Sequence, residues 1–228
     1  LVVDTAAVFF DVDFTLIRPG PRFLGSGYAE TCAKHGIAVD PATFDVAVAG
    51  AAALLDASDQ RYHDDLFVTY TGRIIELMGG QGAAVTVAAR EIYDDWAQHH
   101  HFEMYDDVPE ALLGLHTKGL RLGLISNSHR CLTSFQTHFA LEGLMSVTVS
   151  SADFGVMKPD PRIFQEALAR MQVPAEQAVM VGDSLAHDVF GARNVGMRGV
   201  LLDRSDRAVV IDPAITVIRS LTELAAVL

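Results

Sequence analysis

Phe9-Phe10-Asp11-Val12-Asp13-Phe14-Thr15-Leu16 sets two acids two residues apart at the end of an apolar run, Ala6–Phe10, that predicts a buried strand. Where a strand ends the chain turns, so both carboxylates can reach one site. Two like charges that close are unfavourable unless a cation or a reaction uses them. Asp-x-Asp is also common in surface turns, so the pair alone decides little. Three later segments weigh on it. Leu124-Ile125-Ser126-Asn127-Ser128 puts a hydroxyl at the end of a second apolar strand. Lys158-Pro159-Asp160-Pro161 sets a lysine just before a helix start. Val179-Met180-Val181-Gly182-Asp183-Ser184 ends a strand on Gly-Asp, with Asp188 five residues further on.

Working outward, strands are predicted at Ala6–Phe10, Arg121–Ile125, Ser146–Ser150, Ala178–Val181, Gly199–Leu202 and, more weakly, Ile215–Ile218. Their near-continuous apolar character suits strands buried on both faces of a parallel sheet. Helix starts lie between them: Asp107 with Glu110, Asp160-Pro161, and Ser220 with Glu223 as a capping box. Alternating strand and helix predicts a doubly wound, Rossmann-like α/β domain. Ligands in such sheets sit beyond the carboxyl ends of the strands, where the strand order reverses. The Asp11/Asp13 pair, Ser126 and Asp183 all fall at such ends. Between the first two strands lie about 100 residues, far more than the dozen or so a crossover needs. Helices are predicted there at Ser26–Lys34, from Asp40-Pro41 through the alanine-rich Val46–Leu55, at Asp64–Met78 and at Ala83–Gln98, with no convincing strand. That stretch reads as an inserted helical bundle.

The order Asp-x-Asp-x-Thr, Ser-Asn, Lys-Pro, Gly-Asp-Ser-x4-Asp, over residues 9 to 188, resembles the haloacid dehalogenase-like hydrolase superfamily in its phosphatase-type members. The resemblance implies a helical cap inserted after the first motif, here at residues 18–102, and an α/β catalytic core at 1–17 and 103–228. It implies that Asp11 attacks phosphorus to form an aspartyl-phosphate, which water then hydrolyses. Asp13 would protonate the leaving alkoxide and later serve as base for that water. Ser126, helped by the Asn127 backbone N–H, would hydrogen-bond a phosphoryl oxygen, and Lys158 would neutralise nucleophile and phosphate. A Mg²⁺ ion would be held by Asp11, Asp183 and the backbone carbonyl of Asp13, a hard oxygen set that suits it. Asp188 could ligate that ion, reach it through water or hold Lys158. One position departs from the family: Phe14 stands where most members carry Gly, and its ring is expected in core packing, with narrowing of the entrance or packing under the cap as the alternative.

The formal charge of −12 repels phosphate backbones, so nucleic acid is not expected as a partner. No apolar run approaches the roughly 20 residues that span a bilayer, and Ala6–Phe10 is too short for a signal-peptide core. Leu1 in place of methionine reads as a trimmed start. Cys32 and Cys131 cannot form a disulfide framework and read as packing thiols of a reducing cytosol. The expected partner is a small phosphorylated metabolite, in the cytoplasm and away from membranes.

Other features invite overreading. His99-His100-His101 looks like a metal cluster, but adjacent side chains point apart, and an exposed helix end is expected. Arg18 and Arg22, among Gly20, Gly25 and Gly27, read as solvated hinge charges or as contacts to an anionic substrate. Tyr93 and Trp96 share a helix face and are expected in a core. The competing chemistries on this fold are dehalogenation, which generally lacks an acid at the position of Asp13, and phosphoryl transfer to a sugar. A non-catalytic binding protein is disfavoured because every catalytic position is filled.

Overall fold

The computed structural model describes residues 4–56, 61–205 and 212–228. They divide into two compact units: Pro19–Glu103, and the segments on either side of it.

The unit formed by the flanking segments is a parallel sheet with helices packed on it. Its strands are β1 (Ala7–Phe10), β4 (Arg121–Ser126), β5 (Met145–Ser150), β6 (Ala178–Gly182), β7 (Arg198–Leu202) and β8 (Thr216–Ile218), in the order β5-β4-β1-β6-β7-β8. Every neighbouring pair is parallel. All four β1 residues are fully buried, as a continuous apolar strand between two parallel partners requires. The order reverses at β1. From it the chain continues to β4 on one side, while β6 lies on the other. Phe10 is level with Leu124 of β4 and Val181 of β6. The residues just past β1, β4 and β6 therefore leave the sheet together.

Phe9 drives one face of the core, packed with Ile125, Phe164, Met171 and Met180. Gly123 makes room for it, since a Cβ there would come within 2.7 Å of the Phe9 ring. Burying each such side chain stabilises the fold by about 1.5–3 kcal/mol. The helix starts behave unevenly. Asp160 caps Pro161–Met171 by accepting from the Arg162 N–H, and Ser220 with Glu223 forms the expected capping box. Asp107 does not cap Val108–Thr117. Its carboxylate is taken by a bidentate pair with Arg204 at 3.0 Å and by Ser220 and the Leu221 N–H. A charged guanidinium is the stronger donor.

The other unit is helical: α1 (Gly25–Lys34), α2 (Phe44–Ala51), α3 (Ala53–Asp56), α4 (Asp64–Leu77) and α5 (Ala84–Asp95). α4 packs on α5 and α2, and α1 packs on α5. Ile74, Ile75, Ala88, Ala89 and Ile92 are buried there. Tyr93 is buried as expected, and the Trp96 ring packs against Phe23 and Phe102. Arg22 is neither a solvated charge nor a free anion contact. It is tied within this unit to Asp95, Glu91 and the Thr31 hydroxyl. Two strands of three residues, β2 (Ile17–Pro19) and β3 (Phe102–Met104), pair where the chain passes between the units, against the expectation of helix alone in that stretch.

Candidate active site

The site begins where β1 ends. The Asp11 N–H makes one more sheet bond, to the Val181 carbonyl at 2.9 Å. The chain then coils back: Val12 O accepts from Leu16 N at 2.8 Å, and Phe14 N donates to Ile17 O at 2.7 Å. This turn needs a left-handed residue, and Phe14 supplies it with φ of +63°. That backbone costs a non-glycine residue about 1–2 kcal/mol. It is the physical reason a glycine suits this position. The Phe14 ring is 45% exposed, so the expectation of core packing is corrected. Arg204 fastens the same turn from beyond β7, donating to the Thr15 carbonyl at 2.9 Å and stacking 3.9 Å from the Tyr105 ring centre. Arg18 lies 5.7 Å over that ring.

Lys158 sits at the centre. Its Nζ donates to Asp11 Oδ1 and to Asp188 Oδ1, both at 2.6 Å, with the ammonium buried. Burial lowers its pKa, but Asp11 and Asp188 outweigh burial and raise it. Asn127 holds the lysine backbone from both sides. Its side-chain amide donates to the Lys158 carbonyl at 2.9 Å, and its Oδ1 accepts from the Lys158 N–H at 2.7 Å. The Thr15 hydroxyl donates to the other Asp11 oxygen at 3.3 Å.

Asp183 follows β6, and Asp188 lies in a π-helical turn, Leu185–Phe190. Asp188 Oδ2 accepts from the Ser184 N–H at 3.0 Å. The carboxylate lies directly on the Gly182 backbone, where a Cβ would meet Asp188 Oδ2 at 2.1 Å. Asp11, Asp183 and Asp188 each offer a carboxylate oxygen within 4.8 Å of the others. Burial raises the Asp11 carboxyl to about 7 against the pull of Lys158. Asp183 is itself exposed, and desolvation by the protein around it, with the like charges of Asp11 and Asp188, raises it to about 8. A site whose acids resist ionising together, with all-oxygen donors, fits a hard divalent cation, which would relieve that repulsion. Among the described residues this trio is the one acidic or His/Cys cluster placed to hold an ion, and His99, His100 and His101 are outside it.

Ser126 ends β4, almost fully buried, and its hydroxyl finds no hydrogen-bond partner among the described residues. The loop it opens carries a residue the sequence did not single out. Arg130, with 0% exposure, donates from Nη1 to Asp13 Oδ1 at 2.9 Å. Its sequence signal is slight: one arginine four residues past Ser126. Cys131, next in the chain, is exposed and not a packing thiol, whereas Cys32 is buried. No helix among the described residues is long and apolar enough to cross a membrane.

The chain is similar to known proteins along most of its length. A zebrafish (Danio rerio) protein, haloacid dehalogenase-like hydrolase domain-containing protein 3, is 32% identical over 96% of this chain and 94% of its own. Glyceraldehyde 3-phosphate phosphatase of Pyrococcus furiosus is 34% identical over 85% of this chain and 78% of its own. The crystal structure of a HAD phosphatase from Thermococcus onnurineus superposes with a TM-score of 0.68 at 26% identity, covering 98% of this chain and 97% of that one. The family model for haloacid dehalogenase-like hydrolases matches residues 5–196, from before β1 to beyond Asp188, and the chain belongs to that family.

Proposed function

We propose that the protein is a Mg²⁺-dependent phosphatase of small phosphomonoesters that works through an aspartyl-phosphate. One observation carries the reading: Lys158 bridges Asp11 and Asp188 beside Asp183, and the buried, unsatisfied Ser126 hydroxyl stands at the end of the neighbouring strand. A phosphoryl group supplies what this arrangement lacks, an acceptor for the Ser126 hydroxyl.

In the first step an Asp11 carboxylate oxygen bonds to phosphorus as the P–O bond to the leaving alkoxide breaks, and Asp13 gives that alkoxide its proton. In the second, water attacks phosphorus, Asp13 takes the water proton, and inorganic phosphate leaves Asp11 restored. Ser126 and the Asn127 backbone N–H orient the phosphoryl oxygens, and Lys158 offsets their charge as a fixed point charge. Asp11 and Asp183, with the Asp13 carbonyl, would hold Mg²⁺, and Asp188 adjoins them while binding Lys158. When bound, the cation supplies charge neutralisation for an anion approaching an anionic carboxylate. Asp13 speaks against dehalogenation.

The proposed substrate class is supported by this chain's own residues and by its relatives. Phosphatases of small phosphorylated compounds are among those relatives. The net charge of −12 disfavours nucleic acid. Residues 18–102, which depart from the α/β core soon after Asp13, are assigned as a cap that selects the substrate, and the cytoplasm is the assigned compartment. Phosphate release should be measured across sugar phosphates, nucleotides, phosphoglycolate and a phosphoprotein, with Mg²⁺ and with chelator. Mg²⁺-dependent turnover of a small phosphate, absent in a folded Asp11→Asn variant, is expected. Full activity in chelator, or preference for the folded phosphoprotein, would refute the proposal.

A further inference from the structure

We infer that Arg130 is a positioning residue that aims Asp13 for proton transfer, an inference that rests on the phosphatase reading above. Asp13 leaves β1 in a turn with part of its side chain open to solvent, 17% exposed, while the Arg130 side chain is wholly enclosed. Arg130 reaches across from the loop after β4 and binds one carboxylate oxygen, Oδ1, at 2.9 Å. Oδ2 accepts no hydrogen bond from the described residues and remains the oxygen able to carry the proton. A guanidinium is always charged, so its bond to Oδ1 sets which carboxylate oxygen turns toward Arg130.

The support for Arg130 is itself built in. Its backbone N–H donates to the Ser128 hydroxyl at 3.0 Å, and Ser128 is 3% exposed. Ser128 also accepts at its carbonyl from the Ala152 N–H at 3.3 Å, which ties the loop to the segment after β5. One short loop thus presents Ser126, fixes Lys158 through Asn127 and fixes Asp13 through Arg130. Stability alone gives a weak reason for the arrangement. Burying a guanidinium costs several kcal/mol, and a buried ion pair rarely outdoes an apolar replacement. A function for the pair is an aimed carboxylate.

The test exploits the leaving group. An alkyl phosphate needs a proton from Asp13 as its alkoxide departs. 4-Nitrophenyl phosphate departs as a stable phenolate and needs none. kcat/KM is measured for both substrates in the parent and in Arg130→Gln, Arg130→Lys, Asp13→Asn and the double variant Asp13→Asn/Arg130→Gln. Within one variant the ratio of the two values is independent of how much protein is folded. Arg130→Gln should lower the alkyl-to-aryl ratio by about 10–100-fold, part of the 10²–10⁴ that positioned proton transfer supplies. Arg130→Lys, which keeps the charge, should recover part of it. The double variant should be no worse in this ratio than Asp13→Asn alone. An unchanged ratio in Arg130→Gln, or in Arg130→Lys where only that variant folds, alongside a lowered one in Asp13→Asn, overturns the role of Arg130 and leaves the phosphatase reading standing. An unchanged ratio in Asp13→Asn removes the acid itself. Additive losses in the double variant would show that Arg130 acts elsewhere, and also overturn the inference.

Discussion

Gly182→Ala should disable the site without touching any side chain that acts in it. The added Cβ would lie 2.1 Å from Asp188 Oδ2, 2.2 Å from its Cγ and 2.7 Å from its Cβ. Ordinary contact begins near 3.4 Å, so the carboxylate must retreat by about 1.3 Å. Turning the carboxylate does not suffice, because Asp188 Cβ itself is in the way. The π-helical turn has to shift, while Gly182 is held in β6 between β1 and β7. A retreat of that size breaks the 2.6 Å bond to Lys158 and the 3.0 Å bond from the Ser184 N–H. Charge-assisted bonds of this kind contribute about 1.5–3 kcal/mol each, so a loss of about 2–4 kcal/mol in stability is expected after partial relaxation. A misplacement of about 1 Å at reacting groups can also cost on the order of 10² in rate. The assay is steady-state phosphate release with a Mg²⁺ titration, beside denaturant melts, with Asp188→Asn as comparator. Activity and stability of Gly182→Ala within twofold and about 0.5 kcal/mol of the parent would refute the reasoning, since surface-like tolerance is confined to about that range.

Ser126→Ala should leave the melt nearly unchanged, because the hydroxyl has no partner to lose, yet lower kcat/KM by about 10²-fold, the cost of one fixed donor to a transition-state oxygen; an unchanged kcat/KM would contradict this. Asn127→Ala removes both clamps on the Lys158 backbone and should cost about 1–3 kcal/mol in denaturant melts with a fall in kcat. Because burial and neighbouring carboxylates raise Asp11 and Asp183 together, to a window of about 7 to about 8, above an unfolded aspartate, the folded chain binds more protons than the unfolded one from about pH 4 up to that window. The metal-free protein should therefore lose stability from these groups as pH rises through the window, and the rise in melting temperature on adding Mg²⁺ should be larger at pH 8.5 than at pH 6. An Mg²⁺ effect that shrinks with rising pH would contradict the assignment of those two acids.

The parts of this molecule that were legible in its sequence share a physical cause. Strands β1, β4 and β6 are short, apolar and central, so burial on both faces writes itself into consecutive residues. The acids and the serine at their ends lie together because parallel strands in register deliver their carboxyl ends to one edge. The features that escaped depend on contacts between distant residues. Arg130 meets Asp13 across 117 positions, and nothing near it distinguishes it from a loop charge. Asp107 carries the pattern of a helix cap, but Arg204, nearly a hundred residues later, takes its carboxylate. Phe14 reads as an apolar residue to be buried, whereas its backbone conformation, not its ring, is what the turn uses. β2 and β3 are three residues each, too short to show a period.

The most direct test of the central claim is covalent. A folded, Mg²⁺-loaded sample is mixed with a small phosphomonoester, quenched in acid within a turnover and mapped by peptide mass. The account predicts a phosphoryl adduct on Asp11 that forms and decays at rates sufficient for turnover, and that is absent in Asp11→Asn. Turnover with no adduct on Asp11, together with an Asp11→Asn variant that still releases phosphate near the parent rate, would contradict it.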